Sequence, residues 1–279
     1  MKEKNSSFQA YTGMIETVLS DEIDIVKESL RRKGMFLQQN VFSAKEIDVV
    51  RAKMDAVWNM QLEEYGEDFL RSINDYGSIR CMMDYDSFFL DLVRDERIFK
   101  TIAGILGDSA ILHLQNGIML FPEQAHNQSQ YHKDFPKNIV TDEQLSVNAL
   151  IVIDSFTKES GATLCIAGSH AFKEKPSNTY IQNNEVQIIA DPGDVLFFDS
   201  MLWHKGGENT SSNPRRSINQ QYTKPFIKQQ ISYPDLLKDK VDRNSPLGQT
   251  LGMWAVPPKS LKEFRVDSPE KRTYKADQG

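Results

Sequence analysis

The chain has 279 residues, 39% of them hydrophobic and 10% aromatic, with a formal net charge of -6. That is enough apolar surface for a real core, so wholesale disorder is excluded. The acidic balance argues against a nucleic-acid partner, and no apolar run approaches the length needed to cross a bilayer.

The start, MKEKNSSFQA, is charged with no apolar segment behind it, so no signal peptide is expected and a cytoplasmic setting is the default. Cys81 and Cys165 have neither metal nor redox spacing and are expected as small buried hydrophobes.

Residues 1 to about 60 are predicted to be helical. Ser20-Asp21-Glu22 marks a helix start, Ile23, Val26 and Leu30 follow at helical spacing, and Gly34 ends the run. Met35-Phe36-Leu37 and Asn40-Val41-Phe42 predict a short strand. Ser43-Ala44-Lys45-Glu46 has the pattern of a capping box before a second helix carrying Ile47, Val50, Met54 and Trp58. Residues 65–85 read as polar and irregular, and a further helical block runs from Phe88 to Leu106.

After Gly107 the pattern becomes one of strands. They are expected over Ile111–Phe121, Tyr131–Pro136, Leu145–Ile153, Ala162–Ile166 and Val186–Ile189, with polar connections between. The turn Asp191-Pro192-Gly193-Asp194 leads into one apolar strand from Val195 to His204, and a last strand runs from Arg215 to about Tyr222. Helices first and strands later fit one domain over 1–279, with a helical part at about 15–107, a β core at about 108–228 and a C-terminal extension at about 229–279.

Five histidines are present: His113, His126, His132, His170 and His204. In His132-Lys133-Asp134, positions i and i+2 of a strand point the same way, so imidazole and carboxylate can reach one metal. His204, at the end of an apolar strand, adds a second imidazole. Two His and one carboxylate on one face of a metal form the facial triad of non-haem Fe(II) oxygenases, though a metal-dependent hydrolase can use the same set. Arg215 lies eleven residues after His204 and shares a strand face with Ser217, Asn219 and Gln221, while Arg216 points to the opposite face. A guanidinium there suits a carboxylate partner, which a hydrolase would not need. His113 and His126 are expected as core and loop residues. His170 is expected to bond within its own turn.

Taken in order, His132-Lys133-Asp134, Gly168-Ser169-His170, Pro192-Gly193-Asp194, His204 and Arg215 resemble the phytanoyl-CoA dioxygenase family of Fe(II)- and 2-oxoglutarate-dependent oxygenases, over roughly residues 30 to 230. The resemblance implies an α+β, mainly β fold, a double-stranded β-helix (jelly-roll, cupin-like) core flanked by N-terminal helices. It implies His132, Asp134 and His204 as catalytic Fe(II) ligands, and Arg215 as the partner of the distal carboxylate of 2-oxoglutarate. Gln130, Asn148 and Thr163 are further candidates for contacts to that co-substrate. With a carboxylate at Asp134, oxygenation is expected rather than halogenation. The implied reaction consumes O2 and 2-oxoglutarate, releases succinate and CO2, and hydroxylates a C–H bond of a small molecule. A protein side chain as substrate and a non-catalytic binding protein are the alternatives. The chain departs from the family pattern at Leu150, where relatives often carry an aromatic residue, at Gly206, where a hydroxyl is common, and at Ala167, where proline often precedes the turn glycine.

Overall fold

The computed structural model describes residues 19, 21–124, 127–135 and 139–267. His126, Pro136, most of the chain before Asp21 and the tail after Asp267 lie outside the described residues.

Local signals fix the first elements. Helix α1 (Glu22–Lys33) begins at Asp21, whose side chain accepts from the Asp24 amide at 3.0 Å, and ends at Gly34, in the left-handed region at φ 81°. Strand β1 (Met35–Gln38) follows directly. Helix α2 (Ala44–Tyr65) opens with the expected capping box: the Glu46 carboxylate accepts from the Ser43 amide at 2.8 Å, and Ser43 Oγ accepts from the Glu46 amide at 3.4 Å.

The stretch read as irregular is built of short pieces: α3 (Glu67–Ser72), β2 (Ser78–Arg80) and α4 (Met82–Tyr85). Each is too short for a hydrophobic period to register. The block expected as one helix is two, α5 (Phe88–Val93) and α6 (Glu96–Leu106). Asp95 separates them and caps α6 by accepting from the Arg97 amide at 3.0 Å.

The strands are β3 (Ile111–Leu120), β4 (Ser146–Val152), β5 (Leu164–Ile166), β6 (Glu185–Gln187) after helix α7 (Asn178–Asn184), β7 (Val195–Asp199), β8 (His204–Lys205) and β9 (Arg215–Thr223). Helices α8 (Tyr233–Leu236) and α9 (Pro246–Thr250) follow. One sheet has the order β1-β7-β4-β9-β3-β2 and the other β6-β5-β8, and the paired strands run antiparallel. The outer face of the larger sheet, with Ala149, Ile151, Phe197, Ile218 and Tyr222, packs on helical residues such as Met54, Val93 and Ile102. Its inner face, with Leu150, Leu196 and Phe198, packs on Ala162 and Cys165 from the side of the smaller sheet. Buried on both faces, β7 needs apolar residues without alternation, hence the run Val195-Leu196-Phe197-Phe198. The result is the double-stranded β-helix with flanking N-terminal helices.

Three expectations change. Tyr131–Pro136 is not a strand: His132 makes one isolated bridge, to His204, and Pro136 lies outside the described residues. Val195 to His204 is not one strand: β7 stops at Asp199, and the turn through Ser200–Trp203 carries the chain across to the smaller sheet, where β8 pairs with β5. Asn40-Val41-Phe42 is a loop rather than a strand. It is tied to the Pro192-Gly193-Asp194 turn by Asn40 N–H donating to Asp194 Oδ1 at 2.8 Å and Phe42 N–H donating to the Gly193 carbonyl at 3.0 Å. Gly193 has φ 99°, and a Cβ on it would lie 2.2 Å from the Phe42 carbonyl oxygen, so this joint requires glycine.

Candidate metal and co-substrate site

The change of sheet at Ser200–Trp203 sets His204 beside His132. The two residues exchange backbone hydrogen bonds, His132 N–H to His204 O at 3.0 Å and His204 N–H to His132 O at 3.1 Å. The Asp134 amide donates to the Ser200 carbonyl at 2.9 Å, which fixes the third residue to the same turn. Both Nε2 atoms face one carboxylate oxygen: Asp134 Oδ1 is 3.3 Å from His132 Nε2 and 3.7 Å from His204 Nε2. One ligand atom from each of the three lies within 4.8 Å of the others, a spacing that one metal ion can bridge.

The ring nitrogens that face away are held. His132 Nδ1 is 2.7 Å from the Gln130 carbonyl and His204 Nδ1 is 2.9 Å from the Leu202 carbonyl. Carbonyls only accept, so Nδ1 carries the proton and Nε2 keeps its lone pair for a metal. Burial pulls the His204 pKa down, and Asp134 opposes it. For Asp134, burial acts upward, but His204, His132 and the Asn148 hydrogen bond outweigh it and hold the carboxyl at about 2. A neutral His204 imidazole beside an ionised Asp134 carboxylate is what metal binding needs.

Behind Asp134 lies a polar network from β4, β9 and the turn at Ser200. Asn148 Nδ2 donates to Asp134 Oδ2 at 2.7 Å and to Asn219 Oδ1 at 3.0 Å, and Asn148 Oδ1 accepts from Ser200 Oγ. Gln221 Nε2 donates to Ser146 Oγ at 2.9 Å, and the two serine hydroxyls of Ser146 and Ser200 are 2.7 Å apart.

Arg215 heads β9 and is 4% exposed. Its Nε and Nη1 have no hydrogen-bond partner among the described residues, and its guanidinium carbon sits 4.2 Å from the centre of the Phe156 ring. Burial draws its pKa down to about 10, with Asp154 opposing, so the group remains a cation at neutral pH. Ser217 Oγ, two residues on and on the same face, is also buried without a partner among the described residues. Arg215 and Ser217 share a small pocket with Thr163, Leu150, Ile118, Gln128, Gly206 and His204, so the guanidinium stands at one side of a pocket whose wall includes a member of the trio. Arg216 faces the other way as expected, but it is not a bare surface charge. It is bound to Asp55 at 2.6 Å and to Asp154 at 3.0 Å.

The other sequence candidates separate. Thr163 and Leu150 line the pocket. Asn148 has both amide groups engaged with Asp134, Asn219 and Ser200, which leaves little for a co-substrate. The Gln130 side chain is exposed and does not line the pocket. Residues Asn127–Ser129 form a 3-10 turn, so the chain leading into Gln130 is not extended. Gln128 lines the pocket instead, and its carbonyl accepts from the Gly206 amide at 2.7 Å. His170 reaches beyond its own turn to the Arg31 carbonyl of α1, at 3.2 Å. The sequence reading placed Ser217 on the face of Arg215, where the structure has it, and missed Gln128 altogether. The i+2 spacing from Arg215 was the available signal for Ser217.

Comparison with known proteins agrees with this geometry. A family model for phytanoyl-CoA dioxygenase (PhyH) matches residues 30–217. Uncharacterized protein Rv1501 of Mycobacterium tuberculosis is 36% identical over 264 residues, spanning 92% of this chain and 96% of that protein. Dioxygenase trt7 of Aspergillus terreus is 30% identical over 149 residues, 53% of this chain and 51% of that one. Among solved structures, EctD from S. alaskensis with 2-oxoglutarate and 5-hydroxyectoine superposes with a TM-score of 0.59 at 18% identity, over 70% of this chain and 74% of its own. The non-heme alpha ketoglutarate dependent epimerase SnoN from nogalamycin biosynthesis does so with a TM-score of 0.56 at 16% identity, over 73% and 83%. At such identities these two likenesses speak for the fold. The family model spans the trio and Arg215, and a relative is matched nearly end to end: the chain belongs to the phytanoyl-CoA dioxygenase (PhyH) family and is an oxygenase of the iron and 2-oxoglutarate type.

Proposed function

We propose that the protein is an Fe(II)- and 2-oxoglutarate-dependent dioxygenase that hydroxylates an unactivated C–H bond of a small molecule, releasing succinate and CO2. The observation that carries this reading is the buried guanidinium of Arg215, whose Nε and Nη1 have no partner among the described residues, in a pocket that also holds His204. An isolated buried cation is costly, and a carboxylate with two parallel hydrogen bonds is its natural complement. A hydrolytic metal site of the same three ligands has no use for such a group.

The residues fit the cofactor. His132 and His204 through Nε2 and Asp134 through Oδ1 would hold Fe(II) on one face, leaving positions for co-substrate and O2. Bound there, the metal supplies activation of O2, coupled to oxidative decarboxylation of 2-oxoglutarate and oxidation of the substrate C–H bond. The protein's part is placement. Arg215 pairs with the distal carboxylate of 2-oxoglutarate, and Ser217 Oγ donates to the same group. Ile118, Leu150 and Phe198 line the pocket as apolar wall and exclude water around it. Asn148 occupies Asp134 Oδ2, so Oδ1 is the oxygen presented to the metal.

Relatives support the class. EctD is a structure with 2-oxoglutarate bound, and a 2-aminoethylphosphonate dioxygenase from an uncultured bacterium is 21% identical over 211 residues. A cytoplasmic setting suits the two free thiols, Cys81 and Cys165. The test is addition of Fe(II) and 2-oxoglutarate without oxygen. A visible charge-transfer band is expected in the wild type and is lost in His132→Ala and His204→Ala. A wild-type protein that gives no band refutes the reading. Once the band is seen, a screen that reads succinate release identifies the small molecule.

A further inference from the structure

An irregularity in β3 redirects one histidine. In its pairing with β9, Leu112 lies opposite Tyr222 and Leu114 opposite Gln221, so His113 is an extra residue at a bulge. Bulges re-aim side chains, and they recur next to active sites. Leu114 is thereby placed with Gln221, whose amide contacts the Asp134 carbonyl at 3.5 Å. The His113 ring stands edge-on to Phe135, the residue after Asp134, with centroids 6.4 Å apart. His113 is close enough to Asp134 for the carboxylate to raise its proton affinity. The side chain expected in the core is therefore on the side of the metal trio.

His113 is half-buried, and its Nδ1 is buried with no hydrogen-bond partner among the described residues. Burial lowers its pKa, against the pull of Asp134, so the ring is neutral at pH 7 and offers one donor and one acceptor. On the strand face that β3 shares with Leu114, the polar side chain is paired. Asn116, oriented so that both its groups are satisfied, accepts from Arg80 Nη1 at 2.7 Å and donates to the Gln115 carbonyl at 3.0 Å. Arg80 is itself neutralised by Asp75, at 2.5 and 3.1 Å. Leu114, Ile118 and Phe135 are apolar. An imidazole nitrogen without a partner discriminates strongly for an oxygen it can bond.

We propose that His113 orients the substrate through a hydrogen bond to a hydroxyl or carbonyl oxygen. The proposal rests on the oxygenase reading above.

The experiment uses full-length protein loaded with Fe(II) and 2-oxoglutarate without oxygen. It is titrated with a panel of cyclic ketones and alcohols, such as camphor and cyclododecanone, each paired with the hydrocarbon of the same skeleton. Binding is followed through the charge-transfer band, which needs no turnover. Wild type should bind oxygenated members about tenfold or more tighter than their partners. His113→Leu should shrink that preference to about twofold or less, and His113→Gln, which keeps a donor and an acceptor, should retain part of it. Both variants should form the band at the wild-type 2-oxoglutarate concentration, which also shows that they fold. A preference that survives in His113→Leu, or that is missing in the wild type, overturns the proposal while leaving the oxygenase reading intact. A wild type that forms no band instead removes the oxygenase reading and this proposal with it.

Discussion

Asn148 donates to Asp134 Oδ2 at 2.7 Å, on the carboxylate oxygen opposite the one that faces His132 and His204. The amide is itself held by Ser200 and Asn219, so the carboxylate rotamer is fixed from behind. Groups that orient a ligand in this way typically affect metal affinity by about 10–100-fold. Asn148→Ala is therefore expected to weaken Co(II) and Fe(II) binding in that range while the protein stays folded. Anaerobic metal titration with circular dichroism as the folding control measures it. Wild-type affinity in the variant would show that Asp134 does not depend on Asn148.

Arg216 makes a prediction about stability rather than binding. Its guanidinium joins β9 to α2 through Asp55 and to the end of β4 through Asp154, and its side chain is 17% exposed. Arg216→Ala would leave two carboxylates without their partner. A loss of about 1–3 kcal/mol is expected, in line with hydrogen bonds to charged groups. Urea unfolding of wild type and variant gives the value, and an unchanged midpoint would contradict the network's role.

The metal-free protein should lose stability as the pH falls below the ordinary imidazole value of about 6.5. Burial lowers the pKa of both His204 and His113. As the pH drops through the unfolded value, the unfolded chain takes up protons that the folded one refuses, so stability is present above that value and is lost below it. Asp134 acts in a lower window, since its folded pKa of about 2 lies below its unfolded value, and its contribution disappears only in stronger acid. Denaturant midpoints between pH 7.5 and 5 check the first window. His113→Leu should reduce the slope there, and an identical slope would show that His113 titrates alike in both states.

Gly193→Ala tests the joint between the N-terminal loop and β7. The added methyl would meet the Phe42 carbonyl oxygen at 2.2 Å, at a φ of 99°. A destabilisation of about 1–3 kcal/mol is expected. A variant as stable as the wild type, measured by thermal or urea unfolding, would mean that the loop can move away freely.

The parts of the site legible in the sequence were those set by regular geometry. Arg215, Ser217, Asn219 and Gln221 share a face because β9 runs without a break there, whereas His132 and Asp134, on no strand, converge through backbone bonds to His204 and Ser200. The capping box at Ser43 is a local motif and appears where it was read. What escaped depends on irregular backbone or distant partners. The turn that moves His204 to the second sheet contains no glycine or proline, and Asp199 stabilises it by accepting from the Met201 amide at 2.7 Å. Gln128 replaces Gln130 in the pocket because a 3-10 turn interrupts the extended chain. His113 turns inward through a bulge that no turn residue announces. The ion pairs of Arg216 were not legible because one partner, Asp55, lies 161 residues away on a helix.

The most direct test of the account is 2-oxoglutarate titration of Fe(II)-loaded protein without oxygen, for wild type, Arg215→Ala, Arg215→Lys and Arg216→Ala. Removing one partner of a buried charge pair costs about 2–5 kcal/mol, which is roughly a thirty- to several-thousand-fold loss of affinity for Arg215→Ala. Arg215→Lys should recover only part of it, because an ammonium cannot make the two parallel bonds of a guanidinium. Arg216→Ala should bind 2-oxoglutarate as the wild type does, since its side chain is engaged on the opposite face of the sheet. Equal affinities for Arg215→Ala and wild type, or a larger loss in Arg216→Ala, would contradict the assignment of this pocket to 2-oxoglutarate.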